Sequence, residues 1–278
     1  MKKVENGVMA DEDDAWDVDY AGLEKALNAK TKVLIINSPH NPVGKVFTNE
    51  EMAKIAEILK KWPQVVVIED NVYEGMTFDS YFKKPLPKMA FQEGMRDRCI
   101  SVYSAGKLFS ATGMRSGWII GPPHLSQAAR SVHQFNVYCF YNVVENVATK
   151  SLEHITKPGS DYMEHEASRL RNSRDVLIKE FLKAPFDYSF WIPKGGCFVL
   201  ADITKVQVKE QYLHDENGNK LTKDYAFANQ LVNENKVVCI PMSSFYDAGD
   251  SHLGERFVRF AFCKDEDIIR EAAKRLQK

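Results

Sequence analysis

Short runs of apolar, mostly β-branched residues alternate along the chain with segments whose apolar residues recur every three or four positions. The runs predict strands buried on both faces, and the spaced segments predict helices with one buried face. The strands predicted in the first half of the chain are 31–37, 65–68, 99–103 and 118–120. The helices predicted there are 19–29, 48–61 and 125–154, the last interrupted near 135–142. This repeated order is typical of a doubly wound α/β domain with a mostly parallel sheet.

Capping residues support the starts of two of these helices. Asp19 is a suitable N-cap for the first helix, because its carboxylate can accept a hydrogen bond from the first turn. Thr48 followed by Glu51 is a capping-box pattern at the start of the second helix. The apolar stripe predicted to face the core there consists of Met52, Ile55, Ala56 and Leu59.

Two segments depart from the regular pattern. Residues 1–18 are polar and acidic, which predicts a solvated lead-in before the first helix. The aromatic side chains of Tyr138, Phe140 and Tyr141 interrupt the long helical segment. We interpret them as core or interface residues, with the wall of a substrate pocket as the alternative.

Pro158 and Gly159 break the helical pattern, and we place a domain boundary there. Residues 1–158 are then predicted to form part of a large α/β domain, and residues 159–278 a smaller α+β domain.

The second domain is predicted to begin with an amphipathic helix at 161–183. The arginines interpreted as a solvated face of this helix are Arg169, Arg171 and Arg174. The remaining predicted strands are 195–201, 237–240 and 257–262, and the remaining predicted helices are 223–234 and 265–276.

Composition places the chain among ordinary globular proteins. Its 278 residues are 44% apolar and 27% charged, with a formal net charge of −1. A chain so close to neutral has no global field that favours nucleic acid or an acidic membrane surface. The five cysteines contain no Cys-x-x-Cys pair, so we expect neither a zinc site nor a disulfide framework. We expect a cytoplasmic location, or the mitochondrial matrix for a longer form that carries a transit peptide.

Polar residues suited to chemistry follow the predicted strands. Asn41 lies in the turn-rich segment 38–44 after the first strand, and Asp70 follows the second. Lys107 lies among small residues after the third strand, with Arg115 in a glycine-rich bend beyond it. Ligands in open α/β sheets bind at the carboxyl ends of strands. An amine near a phosphate-binding arginine is the pair that a pyridoxal-phosphate enzyme needs, although the same two residues also fit a plain surface turn.

The stretch Ser104-Ala-Gly-Lys-Leu-Phe-Ser-Ala-Thr-Gly113, followed by Arg115, Trp118 and Gly121-Pro122, settles this choice. It resembles the cofactor-lysine signature of the fold-type I, class I and II aminotransferases. Its longer form resembles their kynurenine aminotransferase branch, which includes glutamine transaminase K and cysteine-S-conjugate β-lyase. Three further blocks match the family in the expected order along the chain.

The resemblance implies a function and a fold. The implied reaction moves an amino group from an aromatic or sulfur-containing amino acid, such as kynurenine, to a 2-oxo acid, with pyridoxal 5'-phosphate as the cofactor and no metal. Cysteine-conjugate β-lyase activity and a homodimeric complete enzyme are implied as well. The implied fold is a mostly parallel large domain followed by a smaller α+β domain.

The resemblance also implies three catalytic residues. Lys107 matches the lysine that holds the cofactor as a Schiff base and later acts as general base. Asp70 matches the carboxylate that pairs with the ring nitrogen of the cofactor. Tyr73 matches the hydroxyl that donates to the phenolate oxygen of the ring.

Four binding residues follow from the same resemblance. Asn41 matches a second donor to the phenolate oxygen and is also expected near the substrate. Ser104 and Arg115 match phosphate ligands of the cofactor. Arg259, between apolar residues of a predicted strand, matches the clamp on the α-carboxylate of the substrate.

The resemblance spans residues 15–278 but only the later part of the family pattern. Family members have a longer front part, which includes a glycine-rich phosphate loop and an aromatic residue that stacks on the cofactor ring. We therefore expect one uncovered sheet edge in this chain. The segment 135–142 departs from the branch pattern, which leaves the preferred amino acid open. Two hypotheses stand: an active aminotransferase, or a truncated, non-catalytic isoform or fragment that acts only through subunit association.

Overall fold

The computed structural model describes residues 16–78, 84–139 and 141–278. Within these ranges the chain forms two four-stranded sheets. The first sheet lies before the predicted boundary at Pro158 and the second lies after it. The exact division into 1–158 and 159–278 stays a prediction.

The first sheet confirms the predicted α/β class. Its strands, in spatial order, are β1 (Val33–Asn37), β2 (Val66–Asp70), β3 (Cys99–Ser104) and β4 (Gly117–Ile120). The first three run parallel, and β4 runs antiparallel to β3. Because β1, β2 and β3 are parallel, their carboxyl ends lie at the same end of the sheet. In register, Asn37 lies beside Asp70, and Asp70 lies beside Val102.

Helices lie next to this sheet, and the residues at the start of the second helix determine where that helix begins. The helices are α1 (Tyr20–Ala26), α2 (Asn49–Lys60), α3 (Ala105–Leu108), α4 (Pro123–Val137) and α5 (Asn142–Ile155). The capping box at α2 is confirmed, since Thr48 Oγ1 accepts from the Glu51 N–H at 3.2 Å and the Glu51 carboxylate accepts from the Thr48 N–H at 2.9 Å. The predicted stripe of α2 is buried as expected. It packs with Ile36, Val67 and Cys99 of the sheet.

The other face of the first sheet is open. The prediction that β1 is buried on both faces is wrong, because Val33 and Ile35 are 47% and 66% exposed and no described element covers them. The interpretation of Tyr138 and Tyr141 as core residues is also wrong, since both are exposed. Their role at an interface stays a prediction. Phe140 lies outside the described residues.

The second sheet has the spatial order β5-β6-β8-β7, with antiparallel neighbours throughout. Its strands are β5 (Ser189–Phe190), β6 (Phe198–Asp202), β7 (Ile240–Pro241) and β8 (Phe257–Ala261). Its helices are α6 (Tyr162–Phe181), α7 (Lys223–Gln230) and α8 (Glu266–Leu276). α6 and α8 bury apolar side chains against the sheet, in one core with Leu170, Phe260 and Ile269. This arrangement agrees with the predicted α+β class.

Two predictions of solvated residues are wrong in part. Arg174 of α6 is buried, and its Nη1 donates to the Pro193 carbonyl at 3.0 Å. Its guanidinium carbon also lies 4.8 Å from the centre of the Phe78 ring. At the start of the described chain, Trp16 packs against Trp191, with ring centres 5.4 Å apart. The predicted lead-in is therefore not fully solvated at its end, and residues 1–15 lie outside the described part.

Candidate active site

The loop after β1 is fixed by Asn37, the last residue of that strand. Asn37 Nδ2 donates to the Asp70 carbonyl at 2.8 Å, and Asn37 Oδ1 accepts from the Asn41 N–H at 2.6 Å. One amide therefore ties the start of the loop 38–44 to the end of β2. This contact determines where Asn41 lies relative to the strand ends.

Gly44 holds the far end of the same loop against the second domain. It has φ = +72°, and its carbonyl accepts from the N–H groups of Lys194 and Gly195 at 2.9 and 3.2 Å. A Cβ on Gly44 would overlap Pro193, and a Cβ on Gly195 would lie 2.6 Å from Pro39 Cγ. Glycine is required at Gly44 because of its positive φ and the nearby Pro193 ring, and at Gly195 because the Pro39 ring occupies the space that a Cβ would need.

Asp70, at the end of β2, keeps unused capacity to accept hydrogen bonds. Its Oδ1 accepts from the Val72 N–H at 3.3 Å, and it has no ion-pair partner among the described residues. Burial raises the pKa of this half-buried carboxyl, while the Val72 N–H and the positive charge of Lys107 oppose the shift. A cationic N–H placed beside Asp70 would therefore find an acceptor.

Glu69, the residue before Asp70, serves a different purpose. Its side chain is buried whereas that of Asp70 is half-buried, because successive residues of a strand point to opposite faces of the sheet. Its carboxylate accepts from Ser101 Oγ at 2.8 Å and from the Met89 N–H. Neutral donors satisfy this acid, so we assign Glu69 to the structure of the sheet.

Lys107 and Tyr73 meet beside the strand ends. Ser104 ends β3 and caps α3, its Oγ accepting from the Lys107 N–H at 3.2 Å. Lys107 Nζ lies 5.5 Å from the centre of the Tyr73 ring. Burial raises the pKa of Tyr73 to about 12, with the Cys197 thiol adding to the shift and the Arg259 charge opposing it. The Tyr73 hydroxyl therefore stays protonated at neutral pH and can donate a hydrogen bond.

Arg259 reaches the site from β8 of the second sheet. Its Nη1 donates to Asn41 Oδ1 at 2.8 Å, and its guanidinium carbon lies 4.0 Å from the centre of the Phe198 ring and 5.1 Å from that of Phe245. The side chain is half-buried, and its buried Nε has no hydrogen-bond partner in the described structure. Burial lowers the pKa of the guanidinium, which still remains charged at neutral pH.

Among the described contacts, none joins Arg115 to another predicted site residue. Its side chain is exposed, and its backbone adopts the left-handed conformation with φ = +52°. Its Nη1 donates to the Thr112 carbonyl at 3.3 Å. The structure thus connects six of the seven predicted site residues by contacts or charge interactions: Asn41, Asp70, Tyr73, Ser104, Lys107 and Arg259.

Sequence reasoning missed two residues that shape the site. Asn37 could have been found, because it is a polar residue that ends a β-branched run directly before the turn-rich loop. Phe198 lies between Arg259 and Tyr73, with its ring centre 6.4 Å from that of Tyr73. Its position depends on the pairing of Leu200 with Arg259 across β6 and β8, which no local signal reveals.

The residues present fit pyridoxal phosphate and an amino acid. Asp70 offers an acceptor for the ring nitrogen, and Tyr73 offers a donor for the phenolate oxygen. The Lys107 amine makes no ion pair within the described part of the chain. The buried, unpartnered Nε of Arg259 fits a carboxylate oxygen. For the phosphate, the chain offers the Ser104 hydroxyl and the exposed Arg115.

The fold defines the class. The mostly parallel sheet with its helices is the fold of the fold-type I aminotransferases. The family model described as aminotransferase class I and II matches residues 7–276, and the chain belongs to this family. Enzymes of this family use pyridoxal phosphate.

Relatives and solved structures agree with this assignment. The chain is 35% identical over 268 residues to kynurenine–oxoglutarate transaminase of Dictyostelium discoideum, an alignment that covers 95% of this chain and 60% of the relative. It is 33% identical to human kynurenine–oxoglutarate transaminase 3, in an alignment that covers 91% of this chain and 54% of the relative.

Two solved structures superpose on most of the chain. That of Bna3p from Saccharomyces cerevisiae has a TM-score of 0.83 and 32% identity, and covers 95% of this chain and 61% of Bna3p. The structure of N-succinyldiaminopimelate aminotransferase from Mycobacterium tuberculosis has a TM-score of 0.78 and 31% identity. Its alignment covers 94% of this chain and 61% of that enzyme.

The chain spans 54–60% of the length of these curated relatives. No helix in the described ranges is long and apolar enough to cross a membrane. Within the same ranges, no group of three or more His, Cys, Asp or Glu side chains could hold a metal ion.

Proposed function

We propose that this chain supplies the cofactor lysine and the substrate clamp of a pyridoxal-phosphate-dependent aminotransferase. The proposed reaction moves the amino group of an aromatic or sulfur-containing amino acid to a 2-oxo acid. One observation carries the proposal: the strand ends of the first sheet and β8 of the second bring Asp70, Tyr73, Lys107 and Arg259 to one place.

Each polar group of the site has a task in holding the reactants. Pyridoxal phosphate, when bound, supplies an aldehyde for amine exchange and a ring that withdraws electrons from the substrate Cα. Asp70 would favour the protonated form of the ring nitrogen, because its carboxylate can accept the N–H. Tyr73 and Asn41 would donate to the phenolate oxygen, and Ser104 would donate its O–H to the phosphate.

Lys107 and Arg259 act on the substrate. The Lys107 amine takes the proton from the substrate Cα and returns it, as a general base and then a general acid. Arg259 binds the α-carboxylate with its planar fork, which orients the Cα–H bond. Asn41 Oδ1 and the Phe198 ring hold the guanidinium in position on two sides.

The aromatic residues beside Arg259 support the proposed substrate class. The rings of Phe198 and Phe245 provide an apolar surface next to the carboxylate clamp, which suits an aromatic or thioether side chain. The names of the kynurenine transaminase relatives support the same class. The fold alone does not select a substrate, since a succinyldiaminopimelate enzyme superposes nearly as well.

The proposal extends to β-elimination from cysteine conjugates and to a homodimer. Removal of the Cα proton by Lys107 begins both transamination and β-elimination, so a good leaving group on Cβ permits the second reaction. The exposed Tyr138 and Tyr141 support a subunit interface at the break between α4 and α5.

The test is turnover of the purified chain with pyridoxal phosphate, a panel of amino donors and a 2-oxo acid, followed by chromatography of the products. We expect activity with kynurenine, phenylalanine or methionine, and its loss in Lys107→Ala. Lys150→Ala, an exposed lysine of α5, is the matched control and should keep activity. Equal activity in both variants would contradict the proposal. Cofactor bound at Lys107 without transfer from any donor would favour the non-catalytic alternative.

A further inference from the structure

A small apolar cluster joins the two parts of the chain, apart from the core of each sheet. Its members come from both parts: Trp16, Val43, Trp191, Leu200, Met242 and Phe257. The ring centre of Trp16 lies 5.4 Å from that of Trp191 and 6.0 Å from that of Phe257. The ring centres of Trp191 and Phe257 are 5.3 Å apart. We call this group the aromatic cluster.

The aromatic cluster covers the face of the second sheet that carries Arg259. Leu200 lies directly opposite Arg259 in the register of β6 and β8, and Phe257 lies two residues before Arg259 on β8. Side chains at these positions share one face, because directly paired residues and every second residue of a strand point the same way. The other face, with Val258 and Phe260, packs in the core of α6 and α8. The aromatic cluster therefore borders Arg259.

The same cluster reaches the loop that contains Asn41. Val43 lies two residues after Asn41, and Asn41 Oδ1 accepts from Arg259 Nη1 at 2.8 Å. The Gly44 carbonyl also ties this loop to the loop before β6. That tie does not involve β8, whereas Phe257 belongs to β8 itself. The aromatic cluster thus connects the loop of Asn41 with the strand that carries Arg259.

The backbone next to Trp16 is anchored in the first part of the chain. Val18, two residues after Trp16, packs against the core of the first sheet. Asp19 caps α1, its Oδ1 accepting from the Gly22 N–H at 2.8 Å. The segment 16–19 therefore bridges the core of the first sheet and the aromatic cluster. Because an aromatic ring contributes a large contact area, the Trp16 indole is the main contact that this segment makes with the second sheet.

We propose that Trp16 is a positioning residue for Arg259: its ring holds β8 next to the loop 38–44 and thereby keeps the guanidinium on Asn41. The inference rests on the proposed function, in which Arg259 binds the carboxylate of the substrate. Trp16 acts through the second sheet and not on the reactants. Since a displacement on the order of 1 Å can cost up to about 100-fold in rate, we expect loss of the ring to weaken carboxylate binding about tenfold.

The direct readout is solvent exchange of the Arg259 Nε–H, whose nitrogen is buried in the described structure. The full chain is made with isotope-labelled arginine, and the resonance of this group is identified by its absence in Arg259→Met. In Trp16→Ala we expect exchange roughly tenfold faster than in the unchanged chain, because a loosened contact opens more often. Trp16→Phe keeps a ring in the cluster and should restore slow exchange. Val18→Ala is the matched control, since it removes contacts of the same segment from the first core, and it should leave exchange slow.

Carboxylate binding gives the second readout. Phenylpropionate, an aromatic carboxylate without an amino group, is titrated into each form with pyridoxal phosphate present, and its Kd is measured by calorimetry. Trp16→Ala should raise this Kd about tenfold. Trp16→Phe and Val18→Ala should change it little, and the affinity for pyridoxal phosphate should change little in all forms.

The outcomes separate this proposal from the proposed function. Equal exchange in Trp16→Ala and the unchanged chain, or equal acceleration in Val18→Ala, would overturn the positioning role. Faster exchange in Trp16→Ala, with no binding of phenylpropionate to any form, would support the positioning role and refute the proposed role of Arg259. If Trp16→Ala does not fold, Trp16→Leu keeps part of the apolar volume and takes its place, with the same expected difference from Trp16→Phe.

Discussion

Replacing Arg259 by methionine tests the substrate end of the site. Methionine keeps an apolar stem against the Phe198 ring, which lies 4.0 Å from the guanidinium carbon, but it removes the charge and the planar fork. It also removes the 2.8 Å hydrogen bond to Asn41. We expect weaker use of amino acids with nearly unchanged cofactor binding, because Asp70 and Lys107 are left in place.

The magnitude follows from the burial of Arg259. Removing one partner of a fully buried charge pair costs about 3–5 kcal/mol, whereas an exposed pair contributes about 0–1 kcal/mol. Arg259 is half-buried, so we expect about 2–3 kcal/mol at the transition state. Because about 1.36 kcal/mol corresponds to a tenfold change in rate, kcat/KM for the amino donor should fall about 30- to 150-fold.

The assay compares steady-state kcat/KM for the amino donor with the affinity for pyridoxal phosphate, measured by absorbance titration. Arg256→Met is the matched control, because Arg256 also lies over an aromatic ring, 4.5 Å from the centre of Phe257, but is exposed. An unchanged kcat/KM in Arg259→Met, or an equal loss in Arg256→Met, would refute the assignment.

Three further substitutions test other parts of the account. Asp70→Asn should lower turnover yet raise the free energy of unfolding at neutral pH. Burial raises the pKa of Asp70, so the protonated carboxyl contributes stability below the unfolded pKa of about 3.9, and this contribution is lost as the pH rises through the folded pKa. Asparagine carries no charge at either pH and avoids this loss. Urea unfolding should show this gain near pH 7 and not near pH 3, and a gain at both would contradict the reasoning. Thr48→Ala removes the α2 cap and should cost about 1 kcal/mol, seen as a fall of a few degrees in Tm, while the exposed Thr149→Ala should change little. Glu69→Ala leaves the Ser101 hydroxyl and the Met89 N–H without their acceptor and should cost about 2 kcal/mol or more in urea unfolding, whereas Glu69→Gln keeps an acceptor and should cost less.

Features set by nearby residues could be predicted from the sequence. The Thr48–Glu51 pattern fixed the start of α2 because both partners of the capping box lie within one turn. Asp70 and Ser104 could be placed at strand ends because the β-branched run 65–68 ends two residues before Asp70 and the predicted strand 99–103 ends directly before Ser104. Parallel pairing then brought these ends together, as the strand-helix order predicts.

Features set by distant residues could not be predicted in this way. The contact between Asn41 and Arg259 joins positions 218 residues apart and depends on how the loop 38–44 meets the loop before β6. The burial of Arg174 depends on the Pro193 carbonyl, which no helical period reveals. The exposed side of β1 depends on which elements cover the sheet, and an apolar run alone does not identify them.

Locating the cofactor on the chain tests the proposed role of Lys107 directly. The purified chain is mixed with pyridoxal phosphate and reduced with borohydride, and the modified peptide is identified by mass spectrometry. We expect modification at Lys107, with much less in Asp70→Asn, because the proposed role of Asp70 is to pair with the ring nitrogen. Modification spread over other lysines, such as Lys45 or Lys88, at the same level as Lys107 would contradict the assignment of Lys107 as the cofactor lysine.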